Sequence, residues 1–173
     1  MTIISKRETI LAYLKATTIP LIDGTGHYNL APGIISRDFK GLGDMRGLDY
    51  PAIFILDDAA VNYVPMTNCG YTVGSGIQSV TDGMTVGIVG YVSVPAEVGR
   101  DDDGTLSTEM NKIYSDILIA MLSDISLGGN CLSVVLTHSD HAVNYSKKFE
   151  VGQVLCLFSI KYDFNPSAST PVT

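Results

Sequence analysis

The stretch Gln153–Phe164 constrains the fold more than any other part of the chain. Val154, Cys156, Phe158, Ile160, Tyr162 and Phe164 take every second position, with Ser159, Lys161 and Asp163 between the later ones. Side chains on a strand alternate between its two faces, so this period predicts a closing strand with one face buried under a second layer. A different period predicts that layer. Leu106, Met110, Ile113, Ile117, Ala120 and Met121 recur at steps of three and four, the spacing of one face of a helix. Glu109, Lys112, Ser115, Asp116 and Asp124 are assigned to its other, solvent side. Gly128-Gly129 follows as the left-handed stop expected after a helix.

The rest of the chain is read around this pair. Ser5-Lys6-Arg7-Glu8 has the form of a capping box and predicts a short helix through Ile10, Leu11 and Leu14, ending near Ala16 before Pro20 and Gly24. Between Asp23 and Asp49 no period survives, which predicts irregular loops with short strands. Ala52–Leu56 is an apolar run too short for a helix, bounded by Pro51 and Asp57-Asp58, and reads as a buried strand. Tyr71 to Pro95 reads as a hairpin turning at Thr81-Asp82-Gly83, because Asp-Gly tolerates the positive φ of tight turns. In its second arm Met84, Val86, Ile88, Val92 and Val94 face one way and Thr85, Gly87, Tyr91 and Ser93 the other, with Val89-Gly90 as an interruption. Cys131–Thr137 supplies one more strand before the closing one. No internal repeat is found. The expected fold class is α+β, a mixed or mainly antiparallel β-sheet with one long and one short helix packed on it. Residues 1–166 are read as a single domain, and 167–173, poor in anything to bury, as a flexible C-terminal tail.

Composition narrows the function. A chain of 173 residues fits one core, and 46% hydrophobic against 17% charged residues argues against intrinsic disorder. The longest apolar run, Ile117 to Leu122, falls far short of the roughly 18 to 20 residues of a membrane-spanning helix. No membrane partner is expected. The opening residues Met1 to Arg7 place charge after a two-residue apolar pair, so a secretory signal is not expected either. Cys69, Cys131 and Cys156 are odd in number and irregularly spaced, which suits a reducing compartment better than a disulfide framework. A net charge of −7 opposes a grip on phosphate backbones.

Candidate chemistry is sparse. Thr137-His138-Ser139-Asp140-His141 offers two imidazoles and a carboxylate that could ligate zinc or relay a proton. His-x-x-His aligns poorly on a strand, and the segment falls where a polar turn between strands is expected. Asp101-Asp102-Asp103-Gly104 looks like a calcium loop. Alignment on its glycine, however, puts Gly99 at the first ligand position and Glu109 one place too early, leaving a solvated acidic loop. Gly24-Thr25-Gly26 and the glycines from Gly70 to Gly76 read as turns, since neither group leads from a strong strand into a helix as a phosphate loop must. Cys131 reads as a small buried residue rather than a nucleophile working with His138. No catalytic residue, metal site or cofactor is assigned.

The order of Val86–Val94, Leu106–Leu122, Leu127-Gly128-Gly129-Asn130 and Phe158-Ser159-Ile160-Lys161-Tyr162, closing at Pro166, resembles the bacteriophage tail terminator, or tail-completion, family. There a strand precedes a long helix, a glycine-rich turn and two final strands, and the opening helix with Ile10 and Leu14 also suits the pattern. The likeness spans most of the chain without a signature residue, and the Gly-rich length of Asp23 to Asp49 departs from it. The resemblance implies a structural virion protein of the neck, assembled in the host cytoplasm. It implies a homo-oligomer, usually a hexameric ring, seated on the tail tube protein and facing the head-completion or connector protein. It further implies that no reaction is involved and that DNA passes through the ring without specific binding. Asp57, Asp58, Asp101, Asp102 and Asp103 are the candidate channel or partner surface, against the plainer reading that they are solubilising surface. Two alternatives are weighed: another neck or tail ring subunit, namely a head-tail connector or tail tube protein, and a small cytoplasmic metal-dependent enzyme using His138, Asp140 and His141.

Overall fold

The computed structural model describes residues 5–40, 45, 49–57, 70–74, 77–95, 104–145 and 149–164. It begins with α1 (Lys6–Tyr13), continued by a π-helical turn (Leu14–Thr18) and a 3-10 turn (Ile19–Leu21). Ser5 caps α1, its Oγ accepting from the Glu8 amide at 3.1 Å. The glutamate does not complete the box. Its carboxylate turns instead to Arg37, whose Nη2 donates at 3.0 Å. The helical path therefore runs to Leu21, past the expected end near Ala16, because Leu14, Ile19 and Ile22 carry its apolar side onward into the core.

Six strands are described: β1 (Ile34–Ser36), β2 (Ala52–Leu56), β3 (Gly70–Gly74), β4 (Ile77–Pro95), β5 (Ser133–Tyr145) and β6 (Phe149–Phe164). They form one sheet in the order β1-β2-β4-β6-β5, with β3 also on β4, beyond the reach of β2. Only β1 with β2 is parallel, so the sheet is mixed and mostly antiparallel. The long helix α2 (Thr105–Ser123) lies on one face, and the fold is α+β as the two periods predicted. Ile113 and Ile117 of α2 share one hydrophobic cluster with Val154, Cys156, Phe158 and Ile160 of β6, joined by Ile10 and Leu14 of the first helix.

Several boundaries differ from the sequence reading, each for the same kind of reason. The hairpin between Tyr71 and Pro95 exists, but Thr81-Asp82-Gly83 lies inside β4 instead of turning it. β4 and β6 pair without a break from Val80↔Phe164 to Pro95↔Phe149. Across that ladder the Tyr162 hydroxyl donates to Asp82 Oδ2 at 2.8 Å, giving the aspartate a partner that a turn would otherwise supply. Gly70–Gly74, read as a turn, is strand β3. Val89-Gly90 interrupts nothing. Alternation is kept, with Val89 and Tyr91 packing in a second cluster on the far face with Phe54 and Val151. β2 is buried on both faces, Ile53 and Ile55 toward the helix and Ala52, Phe54 and Leu56 away from it, which is why its sequence shows no alternation. Residues 165–173, including the expected tail, lie outside the described residues.

Candidate functional site

The most suggestive cluster of the sequence stands on β5. Thr137–His141 is strand, not the polar turn expected, because β6 begins at Phe149 and offers a paired partner as far as Tyr145. The register slips between Leu136 and His138, a bulge that leaves Thr137 unmatched, its hydroxyl donating to the Leu157 carbonyl at 3.0 Å. Beyond the bulge, His138 stands opposite Leu157, Asp140 opposite Leu155 and His141 opposite Val154. Val154 belongs to the helix-side core, whereas Leu155 packs on the far face. Alternation therefore sends His141 to the helix side, where its ring meets Tyr114 edge-on at 5.3 Å, and sends His138 and Asp140 to the other. The three side chains do not converge, and the metal-dependent alternative loses its geometry. Among the described residues no three potential ligands gather elsewhere.

Of the acidic candidates, Asp57 is described and half-buried, whereas Asp58, Asp101, Asp102 and Asp103 lie outside the described residues. Asp57 lines an open cleft of about 670 Å³ with Lys15, Arg37, Asp38, Phe39, Ile55 and Leu56. Its neighbours are of both signs. Arg37 is held charged chiefly by its hydrogen bonds to Glu8, with Asp57 and Asp38 adding to the field. Asp57 thus belongs to a mixed-charge surface, not to an acidic strip.

Cys131 is buried as expected, its Sγ donating to the Ile125 carbonyl at 3.3 Å, and burial raises its pKa. Cys156 is fully buried in the core, and its thiol is pushed up to about 12 by desolvation. Neither is poised as a nucleophile, since the attacking species is the thiolate. The Gly24-Thr25-Gly26 segment is a turn, as read, with both glycines at positive φ. Asp23 Oδ1 accepts there from the Thr25 amide at 2.9 Å and hydroxyl at 2.7 Å.

One polar residue was placed on the wrong side of the helix. Asp116, expected toward solvent, is completely buried. Its carboxylate accepts from the Asn29 amide at 2.9 and 3.0 Å, the Asn29 side-chain amide at 2.7 Å and the Leu30 amide at 2.9 Å. It ties the glycine-rich connection to α2. The signal was present in the spacing: Asp116 is three residues after Ile113 and four before Ala120, on the inward flank of the helix. Phe39, another missed residue, stands half exposed against Phe54 and Tyr91 at ring-centroid distances of 5.7 and 6.4 Å.

The described residues thus present an exposed sheet edge, a mixed-charge cleft and well-satisfied buried polar groups; none of their buried side-chain nitrogens or oxygens lacks a hydrogen-bond partner. Compared with known proteins, the chain matches no family model and no curated protein.

Proposed function

We propose that this chain is a structural ring subunit of a bacteriophage neck, a tail terminator that caps the tail tube, ends its growth and offers a joining surface to the head connector. The observation supporting this is the packing of β4, α2, the Gly128-Gly129 turn, β5 and β6 as one unit, with Ile113 and Phe158 in the same hydrophobic layer. That is the order in which the sequence resembles the family. A unit so built leaves the rim of the sheet for joining copies, and a closed ring needs two different patches per subunit meeting head to tail. In this reading DNA passes through the ring without being gripped, consistent with a net charge of −7. Asp57 is a weak candidate for a channel lining because Lys15 and Arg37 share its cleft.

The test is electron microscopy of the purified chain, alone and mixed with a phage tail tube protein. Single rings or unassembled free chains that attach to tube ends and stop elongation are expected. Long tubes formed by this chain alone would make it a tube subunit instead. Indifference to tube ends would remove the terminator reading.

A further inference from the structure

We propose that the β5 edge is a self-recognition surface through which two free copies pair, antiparallel about Ser139. Among the described residues β5 is bonded on one side only, to β6, over a strand of 13 residues. Long unpaired edges are templates for another strand, and proteins ordinarily blunt them with lysine, proline or short length. Ser133–Tyr145 contains no lysine, arginine or proline, and its protective devices are the bulge at Thr137 and the Asp140 carboxylate, whose Oδ1 accepts from the His141 amide at 2.8 Å. Val135 is 55% exposed and Val143 41% exposed on this strand.

The occupant follows from the charges. In a chain with 18 carboxylates against 11 basic side chains, this edge carries one carboxylate, Asp140, and two histidines. An antiparallel pair centred on Ser139 sets His138 opposite Asp140 of the second copy, and Asp140 opposite its His138. Both residues are exposed and on the same face of the sheet, so the contact forms twice without moving either strand out of plane. Centring on Asp140 instead would oppose two carboxylates. Past the bulge the register moves by one, bringing Val135 opposite Ala142 of the second copy and Leu136 opposite its His141. Tyr114, Leu118 and Leu122 recur every four residues along the flank of α2 that meets His141, and Leu122 is 41% exposed. Two such flanks would lie beside each other across the two-fold axis.

A two-fold contact uses the same patch on both copies and closes at two. It therefore describes the free chain and neither builds nor requires a ring, so it can fail while the ring reading stands. The test is sedimentation equilibrium of the full chain over a hundredfold range of concentration. A monomer–dimer equilibrium is expected, weakened about tenfold or more by Asp140→Lys and restored when His138→Asp and Asp140→His are combined. These side chains are solvent-exposed, and an unchanged thermal melt of the monomer confirms that folding is intact. A strictly monomeric chain, or a dimer indifferent to Asp140→Lys, overturns the proposal.

Discussion

A carboxylate removed from water has to be matched by donors, and Asp116 is matched by two backbone amides and one side-chain amide from Asn29 and Leu30. Tyr28 and Leu30 pack beside the core, and the carboxylate fixes the backbone between them on α2. Asp116→Ala strips an acceptor from both amides, which can recover a partner only by lifting the segment into water. The expected loss of stability is about 1 to 3 kcal/mol in urea unfolding, with faster hydrogen exchange at Asn29 and Leu30 than in the parent. Unchanged exchange there would mean that something other than Asp116 holds the segment. The thiol of Cys156 is the opposite case, a group kept neutral by its surroundings. With its pKa pushed up to about 12, it has almost no thiolate at pH 8. In a Cys69→Ser background, Cys131 and Cys156 should therefore resist a disulfide reagent in the native chain and react together on unfolding. Rapid native labelling of Cys156 would contradict its burial.

Elements meet here through glycine. Gly90 of β4 and Gly152 of β6 lie diagonally across the ladder, since Gly90 pairs with Val154 and Gly152 with Val92. Both face α2. A Cβ on Gly90 would sit 2.8 Å from Ile113 Cδ1 and 3.1 Å from Ile117 Cδ1, and one on Gly152 2.6 Å from Met110 Sδ. The two glycines form a shallow trough in which the helix is seated. Gly90→Val should cost about 1 to 3 kcal/mol in chemical denaturation, because isoleucine is stiff near its branch point and the helix must rise. Gly152→Ala should carry a comparable cost, since the atom nearest the new methyl is Met110 Cγ, next to the buried helix backbone, with Val92 also 3.2 Å away. A negligible cost at either position would show that the helix is not seated against that glycine. The same elements show what was legible beforehand. Periods of two and of 3.6 located β6, α2 and the helix-side face of β4, because apolar residues recur there at every second position or at steps of three and four. The run of β5 through His138, Asp140 and His141 was not legible, as its strand character comes from pairing with Val154–Leu157 across the sheet and not from any period of its own. Asp82-Gly83 misled for the same reason: a turn-forming pair becomes strand when a tyrosine across the sheet satisfies its carboxylate. The candidate site fared unevenly, with the histidines found but their faces assigned only by the register.

For the whole molecule, the shifted groups predict a stability profile against pH with two unequal limbs. On the acid side Glu8 is held low by its hydrogen bonds to Arg37, Asp23 by Thr25, and Asp124 by Ser126 and the Gly128 amide. A carboxylate depressed in the folded state stabilises above its ordinary pKa, and that contribution is lost as pH falls through the folded value. On the alkaline side Cys156, Tyr28, Tyr50 and Tyr91 are raised, chiefly by desolvation. The folded chain keeps those protons where the unfolded chain releases them, so stability is intact below the ordinary thiol value of 9.0 and falls as pH climbs toward about 12. The acid limb should be shallow. Its carboxylates lie at the surface, where solvent and salt screen their partners. The alkaline limb should be steep because Cys156 and Tyr91 ionise only by leaving the core. Melting temperature is therefore expected to be flat between about pH 5 and pH 9, to decline gently below and to drop sharply above. Cys156→Ala should move the onset of the alkaline drop upward, toward the range where tyrosines ionise. An onset that stays in place would assign the alkaline limb to the tyrosines alone, and a steep acid limb insensitive to salt would mean that the surface carboxylates Glu8, Asp23 and Asp124 do not govern the low-pH side.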